Sequence, residues 1–202
     1  AIRCALALAQ PEFVWMVNTD TVVAEDALSR LIQAADERPY IGLWGSSLCY
    51  YDDPGVLQAL GGGRYYPLLG RAKLHAKGRQ AKGAAKSRRD LAEQSINYIM
   101  GASLFIRTEA LQAVGGFDES FFLYAEEVDL ATRARAKGYP LGVAPKSLVY
   151  HKVSRSTGGK HSALYSFHMA RSAVIYLTKH WSLLAACASV PLLITLAILQ
   201  SK

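Results

Sequence analysis

Three short stretches of the chain hold side chains whose types and spacing could do chemistry. In the first, Asn18 and Asp20 flank Thr19 directly after the apolar run Phe13–Val17. Two oxygen-bearing side chains at i and i+2 can converge on a hard divalent cation where the backbone turns off a strand. An aspartate at such a place can equally cap the turn into a following helix. In the second, FDESFFLYAEEVDL delivers Glu126, Glu127 and Asp129 after an aromatic stretch. Desolvation or a like-charged neighbour raises a carboxylate's proton affinity, which suits a general base acting on a hydroxyl, while the helix dipole alone also favours acids at a helix N-terminus. In the third, His151 closes SLVYH and is followed by the cationic turn Lys152 to Lys160. A neutral imidazole can give one nitrogen to a metal while an acceptor holds the other, or it can be a packed structural side chain. His75, His161, His168 and His180 lie in a basic segment or along predicted helices and offer less.

The elements that must position these groups read as an α/β chain. AIRCALALAQ reads as a helix already under way, without an N-cap residue, which suggests residues upstream of Ala1. The near-continuous apolar run from Phe13 to Asn18 predicts a buried parallel strand that presents polar residues at its end, where open α/β sheets place ligands. A helix follows from near Glu25, with Leu28, Leu31, Ile32 and Ala35 on one face. IGLWGSSLCYY and the segment Tyr98–Arg107 predict two more strands, and a short helix around 109–114 stops at Gly115 and Gly116. From Glu126 to Gly138 the acids precede Arg133, Arg135 and Lys137, the order a helix dipole favours. YPLGVA and SLVYH are strand-like, and a long helix is predicted over 163–179.

In order, VNTDTV, YIMGASLFIR, VGGFDESFFLYAEEVDLATRARAKGY and VYHKVSRST resemble the catalytic part of an inverting family 2 glycosyltransferase of the GT-A fold, in its rhamnosyltransferase-like branch. The resemblance runs from Ala1 to about Lys179. It implies a partial GT-A α/β fold, an open mixed sheet flanked by helices, with the N-terminal nucleotide-binding part lacking. It implies a nucleotide-sugar donor, a glycan or lipid-linked acceptor, and Mg2+ or Mn2+ on the donor diphosphate. Asp20 then matches the metal-binding aspartate of the DXD-type motif, with Asn18 at its first position, and His151 matches a further metal ligand. Glu127 matches the catalytic Asp of the family's Glu-Asp pair, and Glu126 the acid before it. Glutamate here is a departure, since the extra methylene moves the carboxylate by roughly 1 Å. Gly115, Gly116, Phe117 and Asp118 match the loop that shapes the acceptor side, and Gly101 is placed with them. Lys152 and Arg155 are candidate donor-phosphate contacts.

Charge and composition bound the partners. The 202 residues carry a formal net charge of +7, arranged as alternating blocks, with 64–95 and 146–202 basic and the remainder acidic. The block from 64 to 90 reads as a basic surface loop, and the absence of interleaved aromatic stacking residues argues against nucleic acid as a partner. Three scattered cysteines encode neither a disulfide framework nor a thiolate zinc site. The run from Trp181 to Leu199 has no charged residue and predicts a membrane-inserted, membrane-associated or packing helix. The expected organisation is a partial transferase domain over 1–179 and an apolar helix over 180–202, associated with the cytoplasmic face of a membrane. The competing reading is a non-catalytic carbohydrate- or membrane-interaction module built on the same fold. Without its front half, the chain alone is expected to bind donor poorly and turn over little.

Overall fold

A computed structural model describes residues 6–7, 9–81, 86–152 and 163–200. Most of the helix expected at the start, together with Cys4, Arg155 and His161, lies outside the described residues.

The larger sheet contains β1 (Phe13–Val17), β2 (Thr21–Val23), β3 (Leu43–Tyr50), β4 (Leu57–Leu60), β8 (Ser103–Arg107) and β9 (Leu141–His151). Its order is β1-β8-β3-β9-β2, and β4 adds to β3 beyond the end of β8. β3 and β9 run parallel, whereas β1, β8, β4 and β2 pair antiparallel with their neighbours, so the sheet is mixed as expected. A smaller antiparallel sheet, β6-β5-β7, joins β5 (Gly62–Tyr66), β6 (Arg71–Leu74) and β7 (Tyr98–Ile99). The helices are α1 (Ala27–Glu37), α2 (Lys86–Ser95), α3 (Thr108–Ala113), α4 (Glu126–Ala136), α5 (Ala163–His180) and α6 (Leu183–Gln200).

Strand alternation divides the core between the two faces of the larger sheet. Leu43, Leu104 and Ile106 point into the cluster that includes Val128, Leu130 and Ala134 of α4. Their neighbours Trp44 and Phe105 point the other way, onto Leu31 and Ala35 of α1. The larger sheet is therefore covered on both faces, and its strand ends are held in fixed register.

Several expectations are corrected. Phe13–Val17 is an antiparallel strand paired with β8, its apolar residues being used by the stacking of Phe13 on Phe105 at 4.7 Å and by Trp15, which donates to Ser103 Oγ. On α1 the buried stripe is Ala27, Leu31 and Ala35, so Leu28 and Ile32 are exposed. Tyr98–Arg107 is two strands in two sheets, divided by a turn at Gly101. YPLGVA and SLVYH merge into the single strand β9, with an irregularity opposite Ser46 and Ser47. The basic stretch 64–90 is not a loop throughout: it contains most of β5, all of β6 and the start of α2. In β5, Tyr65 is buried while Arg64 and Tyr66 are exposed, so the Arg64 cation sits on the outward face of a real strand.

The apolar C-terminal run forms α6, which packs through Ala186, Ser189 and Leu193. Its other side exposes Leu183, Leu184, Leu192 and Ile194. Among the described residues, no helix is long and apolar enough to cross a membrane.

Candidate active site

The pairing of β2 with β9 brings the first and third sequence signals together. Thr21 is opposite His151, and the Lys152 backbone N–H donates to Asp20 O at 2.9 Å. This register sets Asp20 Oδ1 at 3.3 Å from His151 Nε2. The other imidazole nitrogen, Nδ1, donates to Gln58 Oε1 at 2.8 Å in a buried contact. A neutral ring held this way turns a lone pair at Nε2 toward a carboxylate oxygen. Two acceptors approach favourably only with a positive charge between them, a proton or a metal ion. Asp20 Oδ2 is buried without a hydrogen-bond partner, so the pair has spare ligating capacity. These two side chains therefore fit a divalent cation as ligands.

The other expected members of the metal and phosphate set are placed less directly. Asn18 gives its carbonyl to Thr21 N and Oγ1, while its side chain is exposed and bonded to neither Asp20 nor His151. Among the described residues, no group of three or more His, Cys, Asp or Glu side chains converges on one point. Lys152 lies with Nζ 4.8 Å from the centroid of the Tyr51 ring.

Glu126 and Glu127 open α4, whose N-cap residue, Ala125, has a φ of 65°. Tyr124 before it also has a φ of 65°. Two consecutive left-handed residues that are not glycine are costly and mark a backbone held by its surroundings. They turn the chain sharply into the helix, and Glu127 emerges in a cavity of about 480 Å3 beside Tyr65, Tyr98, Tyr124 and Tyr165. Glu126 Oε2 and Glu127 Oε2 are both buried without hydrogen-bond partners. Burial first, and the Glu126 charge second, push the Glu127 carboxyl up to about 8. Burial also raises Glu126.

One turn links the two parts of the site. Ala102 O accepts from Asn18 N at 3.3 Å, and a Cβ placed on Gly101 would lie 3.9 Å from Glu127 Cδ. Asn18, two residues before Asp20, is thus bonded to the short segment between β7 and β8, and Gly101 of that segment faces the Glu127 side chain.

The loop expected on the acceptor side lies outside the lining of this cavity. Gly115 and Gly116 take φ values of 75° and 80° as α3 ends, Phe117 packs against the core, and none of the three lines the cavity. Asp118 is also outside the lining and bonds Lys179 Nζ at 2.6 Å and Ser120 N at 2.8 Å, contacts that hold its carboxyl far below the usual range. The walls are mainly tyrosines and apolar residues, with Arg71 and Ser166 among them, that sequence reasoning passed over, as it passed over Gln58. The buried positions of β5 carried the available signal, since Gly63 and Tyr65 alternate with Arg64 and Tyr66.

The comparisons agree with this architecture. The model for glycosyl transferase family group 2 matches residues 13–201. The chain belongs to this family. It is 26% identical over 176 residues to an N-acetylglucosaminyl-diphospho-decaprenol L-rhamnosyltransferase of Mycobacterium tuberculosis H37Rv, covering 84% of the chain and 56% of that relative. It is 21% identical to rhamnosyltransferase WbbL of Escherichia coli K12, covering 85% of the chain and 63% of that relative. The chain therefore spans little more than half the length of these rhamnosyltransferase relatives. Among solved structures, GalNAc-T7 with UDP, GalNAc and Mn2+ superposes at a TM-score of 0.59 and 14% identity, over 88% of this chain and 36% of that one. The mannosyltransferase PcManGT of Pyrobaculum calidifontis, in complex with GDP-Man and Mn2+, gives 0.52 and 18% identity, over 100% of this chain and 59% of that one. The fold of this family 2 chain is a partial GT-A fold, with a mixed sheet flanked by helices and two helices at its C-terminal end.

Proposed function

We propose that the protein containing this chain transfers a sugar from a nucleotide-sugar donor to a hydroxyl of a glycan or lipid-linked acceptor, with inversion at the anomeric carbon. The observation that supports the reading is the Gly101–Ala102 turn, which bonds Asn18 of the metal-type strand end through Ala102 O and leaves room for the Glu127 carboxylate where Gly101 lacks a side chain. Donor and acceptor sites of a sugar transfer must meet at one anomeric carbon, and this turn supplies that proximity.

Glu127 acts as general base and takes the proton of the acceptor hydroxyl as its oxygen forms the new glycosidic bond. A proton affinity near neutral pH suits that task, because the base must hold the proton once taken and lose it between turnovers. Glu126 keeps that affinity high by its charge. Asp20 and His151 hold Mg2+ or Mn2+, with Gln58 fixing the imidazole. When bound, such a cation offsets charge on a leaving diphosphate. Lys152 and Arg155 are assigned to donor phosphate, Asn18 to the outer part of the metal site, and Gly115–Asp118 to the support of the acceptor side through the bond from Lys179 to Asp118.

Residues 1–179 constitute the central and C-terminal part of the transferase domain, and 180–202 an apolar helix that rests on the cytoplasmic face of a membrane. The exposed apolar side of α6 supports the membrane contact. The test is sugar transfer by the full-length protein across donor candidates, comparing wild type with Asp20→Ala and Glu127→Gln. Both variants are expected to lose at least about 100-fold in rate, within the range that general-base catalysis supplies. Variants as active as wild type reject the assignments, and donor binding without transfer by the wild type favours a binding module.

A further inference from the structure

Strand β9 exchanges its two faces part-way along. Over Leu141 to Ala144 it pairs with β3 in one register, with Leu43 opposite Leu141 and Ser46 opposite Ala144. The next pair is Ser47 with Leu148, so Pro145, Lys146 and Ser147 have no counterpart on β3. Side chains alternate along a strand, and an insertion of odd length therefore swaps its faces. The packing records the swap. Leu141 and Val143 enter the cluster under α4, whereas beyond the insertion Leu148 and Tyr150 pack against that cluster and Val149 lies with Leu48 on the other face. His151 shares the face of Val149 and stands opposite Tyr50. Had the first register continued, Leu148 would stand opposite Tyr50, and His151 would point to the α4 side, away from Asp20.

Buried hydroxyls pin the insertion at both ends. Ser47 Oγ donates to Pro145 O at 2.9 Å, and Ser46 Oγ lies 2.9 Å from Ser147 Oγ. Ser46 Oγ is also 2.9 Å from Ser103 Oγ on β8, which accepts from Trp15 Nε1 on β1 at 3.0 Å. All four serines are buried. Each hydroxyl has one proton and free lone pairs, so the bonds can run in one direction from Trp15 through Ser103 and Ser46 to Ser147. The chain of bonds thus starts on the strand that leads to Asp20 and ends on the strand that leads to His151. Apolar contacts are non-directional and would let the insertion slide, whereas a buried hydroxyl is costly unless its bond is made. Serines at these positions therefore favour one register over its neighbours.

We infer that Ser46, Ser47 and Ser147 are positioning residues: they hold the three-residue insertion of β9 in place, and so hold the His151 imidazole against Asp20 at the spacing that receives a divalent cation. This rests on the cation reading of Asp20 and His151 and adds to it the residues that build the spacing. None of the three serines touches the cation. They act through the register of Leu148 to His151, which also sets the bond from Lys152 N to Asp20 O.

The test compares two readouts on the full-length protein, amide hydrogen exchange without metal and titration with Mn2+ alone. Ser46→Ala combined with Ser147→Ala removes both ends of one bond and strands neither, while Ser103 keeps Trp15, so the double variant should fold. Its amides over 148–152 are expected to exchange at least about tenfold faster than in wild type, with those over 141–144 unchanged. Its Mn2+ affinity is expected to fall about tenfold, as for residues that orient a metal ligand from outside. Ser47→Ala is expected to move both readouts the same way. Ser172→Ala is the control, since Ser172 is equally buried and donates to Leu123 O at 2.8 Å, outside the relay. It is expected to lower the melting temperature and to leave both readouts at wild-type values. Wild-type exchange over 148–152 in the double variant, or an equal change in both readouts for Ser172→Ala, overturns the inference. Mn2+ binding by wild type that the double variant matches also overturns it and leaves the cation reading standing. Failure of wild type to take up Mn2+ removes the cation reading, and the exchange result then decides by itself whether the serines position His151.

Discussion

The Nδ1–H of His151 donates to Gln58 Oε1 at 2.8 Å, and this one bond decides what the imidazole offers to Asp20. Gln58 lies on β4 and His151 at the end of β9, so two strands that flank β3 meet at the site. With Nδ1 committed, Nε2 is the atom that faces the Asp20 carboxylate.

Removing the carbonyl of Gln58 should therefore act on metal affinity. Outer partners of a metal-bound histidine are worth about 10–100-fold in affinity, so Gln58→Leu is expected to lose about that much in Mn2+ binding by the full-length protein. Gln58→Glu keeps an acceptor oxygen and is expected to retain most of it. Electron paramagnetic resonance of free Mn2+ in a titration reads both. Unchanged affinity in Gln58→Leu excludes this role for Gln58.

The Glu127 carboxyl predicts two opposite pH trends. As a base it must be ionised, so the transfer rate should fall about tenfold per pH unit below its value of about 8 and level off above it. Its folded value lies above the ordinary glutamate value of 4.5, so the unfolded chain gives up this proton first as pH rises. The contribution of Glu127 to stability is then full below 4.5 and is lost as pH rises through about 8. Glu127→Gln should flatten that part of the stability profile and abolish the rate profile. Urea unfolding at a series of pH values checks the first, and a wild-type slope equal to that of the variant contradicts it.

What could be read from the residues was the chemistry that sits at element ends. Asp20 and His151 each follow an apolar run, and Glu127 opens a helix whose charges run with its dipole. Their mutual placement was hidden because β2, which sets Thr21 opposite His151, is only three residues long and has no pattern of its own. The cavity walls were hidden for another reason. Tyr65 and Tyr98 come from strands 33 positions apart that pair with each other through Gly62 and Gly63, so only the small sheet brings them to Glu127. In the basic stretch, frequent Lys and Arg masked a two-residue alternation that pairing with β6 makes real.

Asp129 holds the base-bearing helix to the C-terminal helices. It is 0% exposed, yet it accepts from Arg133 Nε at 2.8 Å and His180 Nε2 at 2.7 Å and is ion-paired with Lys179 Nζ at 2.7 Å. Burial alone would raise its carboxyl, but the hydrogen bonds from Arg133, Lys179 and His180 outweigh it and hold the group below the ordinary value of 3.8. Its stabilisation is thus present above that value and is lost as pH falls through the lower folded one. Asp129→Ala strands two or three cations and is expected to cost about 3–5 kcal/mol. Chemical denaturation measures this, and a loss under about 1 kcal/mol is incompatible with a buried charge network of this kind.

The exposed side of α6 predicts where the protein meets lipid. Leu184 is 83% exposed and Leu183 is 69% exposed, in a helix with no charged residue along its length. Trp181, also exposed, stands at the corner between α5 and α6, a place suited to a headgroup boundary. Burying a leucine side chain is worth about 1.5–3 kcal/mol, so two leucines entering the acyl boundary account for at least a hundredfold in partitioning. Leu183→Glu combined with Leu184→Glu removes that gain and adds charge, and both positions point away from the core, so folding should be spared. Flotation of the full-length protein with phosphatidylglycerol-containing vesicles is expected to fall at least tenfold in the double variant while its melting temperature holds. Equal flotation of variant and wild type would place the lipid contact elsewhere and leave the apolar face of α6 to a protein neighbour.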